Sequence, residues 1–258
     1  MHPAERAERD ALRSLGETPG IGCRNVAGAV CMSIPALPNV PMVNHVVGLG
    51  EDEPATDDVL DATAAFYAEI GVRYYACVTP TAQPSDLREQ LAARGFTRGY
   101  DWMKFIRGVD ALADPETVLV VRLIGAVDGG DFARVVCGGY GMPASTEATI
   151  AGVPALEGWS CYVAYDGDEP AAAGALFVSG EVGWLGFAAT LPEHRRKGGQ
   201  GAILAARIDR ARELGIRTLV TETGVRQEGR ASNSYRNILR SGFEEAYVRE
   251  NYLSPGAA

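Results

Sequence analysis

Between Leu191 and Ala202 the chain reads LPEHRRKGGQGA, a cationic, glycine-rich turn between a strand-like run and a helix-like run. That combination can hold a pyrophosphate. The run Val182–Thr190 is apolar and rich in small residues, and Pro192, which has no N–H to give a ladder, ends any strand there. Beyond the turn, Ala202, Ile203, Ala205, Ala206 and Ile208 form an apolar stripe at helical spacing. Arg207, Asp209, Arg210, Arg212 and Glu213 are expected to face solvent, and Gly215 to stop the helix. The glycines then sit at a helix N-terminus, where unpaired N–H groups and the positive end of the helix dipole attract an anion. Gly198, Gly199 and Gly201 put no Cβ in its way, and Arg195, Arg196 and Lys197 add charge beside the donors.

A phosphate-cradling P-loop would run from its last glycine into Lys and then Ser or Thr, whereas Gly201 is followed by Ala202 and Ile203. The G-x-G-x-x-G fingerprint of dinucleotide-binding folds is also absent. The loop resembles the signature of the GCN5-related N-acetyltransferases (GNAT family), Arg/Gln-x-x-Gly-x-Gly/Ala, whose backbone amides bind the pyrophosphate of acyl-CoA. It aligns as Arg195-x-x-Gly198-x-Gln200 or as Arg196-x-x-Gly199-x-Gly201. The spacing from Pro192 favours the first, with Gln200 replacing the last small residue. Other segments keep the family order. Strand-like runs lie at 117–124, 161–166 and 171–178, and helix-like runs at 131–138 and around 145–151. After the loop come a strand at 216–223 and a helix at 230–241 that ends at Gly242 and Phe243. The resemblance covers residues 117–253.

This resemblance implies acetyl-CoA as co-substrate, no metal, and direct acetyl transfer to a primary amine in a ternary complex, achieved more by positioning than by covalent catalysis. In the family, the strand before the loop splays from its neighbour and its free backbone groups hold the pantetheine arm. That assigns Ala188, Ala189 and Thr190 to cofactor binding, together with the loop residues Arg195, Arg196, Lys197, Gly198, Gly199, Gln200, Gly201 and Ala202. Asn233 is a candidate pantetheine contact. The family's frequent tyrosine acid lies four residues before the Gly-Phe pair, where this chain has Ile238. Tyr235, a turn earlier on the same helix face, is the candidate general acid. Glu222, at the end of a strand, is the candidate base. His194 reads as a solvent-facing turn residue, and His2 and His45 show no sequence partners. Ile238 motivates the alternative of a weak or inactive CoA-binding pseudoenzyme or sensor.

The family builds its acceptor pocket from variable helices and loops, here about 138–158. In that stretch Gly138, Gly139, Gly141 and Pro143 suggest a mobile flap. Trp159, Tyr162 and Trp184 either line a pocket or fill the core. A small-molecule amine is the expected acceptor, with a metabolite, an amino acid, an amine antibiotic and a protein N-terminus all open.

The N-terminal half reads as a second, degraded copy. Residues 71–80 parallel 215–224, and the helix-like runs that follow end in Ala93-Arg94-Gly95-Phe96 and Arg240-Ser241-Gly242-Phe243. A tyrosine stands four residues beyond each phenylalanine, Tyr100 and Tyr247. Before Gly71 come an apolar strand, 42–49, and a helix, 56–70. Where the other copy has its basic loop, this one reads Gly50-Glu51-Asp52-Glu53-Pro54, acids that would repel a pyrophosphate.

The expected fold is therefore α+β, two GNAT-like domains at 1–110 and 117–258, each a mixed, mostly antiparallel twisted sheet flanked by helices. A length of 258 residues and 47% hydrophobic content support two modest cores. The first twenty residues form a charged helix without a signal-peptide core, and no run is long enough to span a membrane, so a cytoplasmic location is expected. Cys23, Cys31, Cys77, Cys137 and Cys161 lack C-x-x-C spacing and read as reduced core thiols. A net charge of −9 argues against nucleic-acid binding.

Overall fold

Pro3 at the first helical position and the His2 imidazole, which accepts from the Ala4 N–H at 3.1 Å, start helix α1 (Pro3–Leu15). Ala4, Ala7, Ala11, Leu12 and Leu15 form its buried stripe, and Glu5 and Glu8 are buried with them. A hairpin, β1 (Gly22–Val26) and β2 (Ala29–Ser33), turns through Ala27 and Gly28, both at positive φ. Strand β3 (His45–Val47), helix α2 (Asp57–Ile70) and strand β4 (Tyr75–Val78) then make a strand–helix–strand unit in which β3 and β4 pair in parallel. Helix α3 (Leu87–Ala93) and strands β5 (Thr97–Arg98) and β6 (Trp102–Arg107) follow. Tyr67 and Tyr74, stacked at 3.9 Å, centre a core with Phe66, Leu60, Leu87 and Leu91.

The next segment contains β7 (Val120–Ile124), α4 (Gly129–Tyr140) and the short α5 (Glu147–Ile150). An antiparallel meander follows: β8 (Trp159–Asp166), β9 (Glu169–Ser179) and β10 (Val182–Thr190). Helix α6 (Gly199–Glu213) leads from β10 to β11 (Thr218–Gly224), which pairs with β10 in parallel. Helices α4 and α6 both pack on β9, which is why its alanine-rich run is buried from Pro170 to Phe177. Strands covered on both sides lose the polar alternation of a half-exposed strand.

The chain then forms α7 (Asn233–Arg240) and β12 (Glu244–Leu253). The computed structural model describes residues 1–113, 115–227 and 233–256; the predicted helix start at 230–232 lies outside these. Two compact units result, Met1–Phe105 with Glu222–Ala258, and Ile106–Thr221. In the first the strand order is β1-β2-β3-β4-β12-β6, and in the second β7-β8-β9-β10-β11.

This division differs from the contiguous domains expected at 1–110 and 117–258. Strand β12 is the reason: it pairs antiparallel with β4, from Glu250 opposite Val78 to Leu253 opposite Tyr75, and also with β5. The C-terminal segment thereby completes the N-terminal sheet. Among the described residues no helix is long and apolar enough to cross a membrane.

Candidate functional site

Gly198 is the N-cap of α6 at φ +80°, and no side chain caps this end. The first turn holds no acid, so its free N–H groups and dipole are uncompensated within the helix. A Cβ on Gly198 would lie 2.6 Å from the Glu116 carbonyl oxygen, and one on Gly199 would lie 2.9 Å from the Ala172 Cβ. Gly201 has room, with 3.8 Å to Pro115. The fold therefore constrains Gly198 and Gly199 sterically and leaves Gly201 free. Arg196 takes a left-handed conformation at φ +66°, and Thr117 Oγ1 donates to the Lys197 carbonyl at 2.6 Å, fixing the turn.

The three cations of the loop are not equivalent. Arg195 and Arg196 are exposed and have no ion-pair partner among the described residues. Lys197 instead hydrogen-bonds the Asp166 carboxylate at the end of β8. His194 is not a free turn residue, because its Nδ1 lies 3.1 Å from the same carboxylate and its side chain is only 14% exposed. The Lys197 hydrogen bond, and after it that of His194, hold Asp166 below the usual carboxylate range. Gln200 is half-buried in the first turn of α6, and Ala202 is buried beneath it.

Strand β10 opens as it approaches the loop. Its parallel ladder with β11 runs from Val182 opposite Thr218 to Trp184 opposite Val220 and stops. Its antiparallel ladder with β9 shifts register between Gly186 and Ala189, and Phe187 lies at φ +55°, a bulge. Ala188 is exposed at that bulge, while Ala189 and Thr190 are half-buried. A Cβ on Gly139 would come 2.8 Å from the Ala189 Cβ, so α4 packs tightly on this strand end.

That contact corrects the flap expected at 138–143. Gly138, Gly139 and Tyr140 form the last turn of α4, and Gly141 caps it at φ +69° with the Met142 N–H bonded to the Cys137 carbonyl. The glycines serve close packing. Trp159 and Trp184 join Phe177 and Phe187 in an edge-on and tilted aromatic cluster, with centroid distances of 5.1–6.4 Å. These two tryptophans and Tyr162 are buried core residues.

The remaining predicted residues belong to the first unit. Glu222 Oε2 lies 3.0 Å from Lys104 Nζ, and Lys104 also binds Glu8, which binds Arg249. Burial alone would raise Glu8, but Arg249 and Lys104 outweigh it and hold the carboxyl down to about 2. His45 packs in the same cluster, where burial lowers it to about 4. Both it and the capping residue His2 thus have partners that sequence did not show. Tyr235 is buried, edge-on to Phe105 at 4.9 Å, and its hydroxyl donates to Glu245. Burial, then that hydrogen bond, push the phenol up to about 12. Asn233 Oδ1 accepts from Arg236 at 2.6 Å on the exposed face of α7.

Sequence reasoning missed Arg207. Helical periodicity puts it on the solvent-facing side of α6, yet it is 3% exposed and donates to the backbone carbonyls of Ala175 at 3.2 Å, Gly186 at 3.3 Å and Ile203 at 3.3 Å. Gly174, whose Cβ would fall 3.0 Å from the guanidinium carbon, was the available signal.

The corresponding loop of the first unit is closed. Helix α2 is capped by Thr56 Oγ1 and carries Asp57 and Asp58 in its first turn, which compensate its dipole. The Gly50 carbonyl accepts from the Gln83 N–H at 2.7 Å, and a Cβ on Gly50 would sit 2.4 Å from the Gln83 oxygen. Glu51 accepts from Thr81 Oγ1 at 2.8 Å and from Thr79. Among the described residues no group of His, Cys, Asp and Glu is arranged to hold a metal ion.

Residues 139–236 match the sequence profile of the acetyltransferase (GNAT) family. No curated protein matches the chain. A GCN5-related N-acetyltransferase from Kribbella flavida superposes with a TM-score of 0.66 over 100% of this chain and 97% of its own, at 17% identity. One from Sphaerobacter thermophilus gives 0.62 over 99% and 94%, at 14% identity. A tandem GNAT protein from the clavulanic acid biosynthesis pathway gives 0.58 over 92% and 83%, at 14% identity. At such identities the likeness is one of fold. The chain resembles the GNAT family in the sequence of its residues 139–236 and in the fold of its whole length.

Proposed function

We propose that this protein is an acetyl-CoA-dependent N-acetyltransferase of tandem architecture whose cofactor loop lies in the second unit. The single observation that carries the reading is the N-terminus of α6, with no side-chain cap, glycine at its N-cap and first position, no acid in its first turn, and exposed Arg195 and Arg196 before it. The end of β10 supports it, since the edge that its ladder with β11 leaves after Trp184 offers backbone groups to an extended ligand, while the other edge stays on β9. The first unit repeats the strand–helix–strand order around a loop whose helix is capped and whose backbone is used internally, which fits a copy that has lost cofactor binding.

In this reading Arg195, Arg196 and the α6 amides hold the pyrophosphate, and Ala188, Ala189 and Thr190 flank the pantetheine arm. The amine is deprotonated and attacks the thioester carbonyl, forming a C–N bond. The C–S bond then breaks, the nitrogen releases its second proton, and the thiolate takes one up. Glu222 as proton acceptor and Tyr235 as donor rest on sequence position, and each is held by a partner of its own, Lys104 and Glu245. The proposed acceptor is a small primary amine. Thiol release from acetyl-CoA, followed across a panel of amines, tests the reading; stimulation by at least one amine is expected.

A second reading keeps the cofactor and drops the turnover. Ile238 at the tyrosine position and the engaged hydroxyl of Tyr235 favour it. CoA binding without thiol release on any amine would select it.

A further inference from the structure

The bulge in β10 is wired by side chains. Thr221 Oγ1 donates to the Leu185 carbonyl at 2.9 Å, Arg207 Nη1 to the Gly186 carbonyl at 3.3 Å, and the Tyr140 hydroxyl to the Ala188 carbonyl at 3.1 Å. These carbonyls lie where the ladder with β11 has ended and the ladder with β9 shifts register. Arg207 is the unusual member. Its acceptors are all backbone carbonyls, and the two on strands, Ala175 and Gly186, face each other as the last pair before the bulge. No carboxylate pairs with it among the described residues, although it is buried, and burial lowers it only to about 10, so it stays charged at neutral pH.

A buried cation without a counterion costs stability, and an apolar side chain of similar length would fill the same space. What the guanidinium adds is direction. A peptide plane is rigid and trans, so fixing the Gly186 carbonyl toward Arg207 turns the Phe187 N–H the opposite way. We propose that Arg207 is a positioning residue, holding the β10 bulge so that the amide of Phe187 is aimed as a fixed donor toward the acyl group of the bound thioester. This rests on the acetyltransferase reading above. The formal positive charge behind that peptide also strengthens its donor when negative charge develops on the thioester oxygen.

The test uses the full chain with Arg207→Met and Arg207→Lys, and three readouts. Arg207→Met is expected to speed amide hydrogen exchange in the peptide spanning Leu185 to Thr190 and to leave that of β8 unchanged. CoA affinity should stay within about two-fold because the pyrophosphate loop is untouched, while kcat falls by about 100-fold with little change in KM. Arg207→Lys, which keeps a donor and the charge, should recover part of kcat, and it replaces the Met variant if that one does not fold. Unchanged exchange at 185–190, or an equal loss of CoA affinity and kcat, overturns the proposal. If the wild type shows no turnover, the acetyltransferase reading falls and the assignment to an acyl group falls with it. In that event the exchange data still separate a held bulge from one indifferent to Arg207.

Discussion

The Lys197 ammonium hydrogen-bonds the Asp166 carboxylate, so one of the three loop cations is neutralised across the turn from β8 while Arg195 and Arg196 stay exposed. Asp166 is also a fixed negative charge bonded to the loop of the proposed pyrophosphate site. Asp166→Asn is therefore expected to tighten CoA binding by about two- to five-fold, the scale of one partly exposed ion pair. Calorimetric titration with CoA at low and high salt checks this; the gain should shrink as salt rises.

Gly198 and Gly201 should respond differently to a methyl group. Gly198→Ala combines a positive φ with a clash against the Glu116 carbonyl, and a loss on the order of 1–3 kcal/mol is expected. Gly201→Ala makes only an ordinary contact, 3.8 Å from the Pro115 Cβ, and should fall within about 0.5 kcal/mol of wild type. Urea midpoints decide, and equal losses at both positions would contradict this account of the loop.

Acid should destabilise the first unit in two stages. His45 has its pKa lowered from 6.5 to about 4 by burial, in the presence of Glu8, Arg249 and Lys104. The unfolded chain therefore binds a proton between those values that the folded chain refuses, and stability drops as pH falls through that window. The contribution is about 3 kcal/mol at most. Glu8, lowered from 4.5 to about 2, contributes stability that is complete above 4.5 and is lost as pH falls toward 2. His45→Gln should flatten the upper stage of a stability–pH curve and leave the lower one.

Tyr235→Phe removes a hydroxyl that is bonded to Glu245 and whose phenol is pushed up to about 12. A stability loss of about 1 kcal/mol is expected from the hydrogen bond. If Tyr235 also returns the proton to the thiolate, kcat should fall by about ten-fold or more without a matching change in KM. Steady-state kinetics with the best amine separates a structural tyrosine from an acid.

The elements were more legible in the sequence than the side-chain partnerships. Strand Val182–Thr190 and the helix ending before Gly215 coincide with the residues that patterning marked, because apolar periodicity and glycine punctuation act locally. Arg207, Glu5 and Glu8 were hidden for the opposite reason. A charged residue in an amphipathic run reads as exposed, and only tertiary partners, here strand carbonyls or Lys104 and Arg249, make its burial possible. Strand β12 was missed because Glu244, Glu245, Arg249 and Glu250 break the apolar signal, although Arg249 is buried in its ion cluster. The bulge at Phe187 depends on a positive φ that no residue type at that position announces.

The most direct test is calorimetric titration of CoA into the wild type and into a variant carrying Arg195→Glu and Arg196→Glu. The account predicts micromolar or tighter binding to the wild type and its loss by about 100-fold or more in the variant, with the fold intact by circular dichroism. Absence of CoA binding to the folded wild type, or equal affinity in both proteins, would contradict the assignment of the α6 N-terminus as the cofactor site.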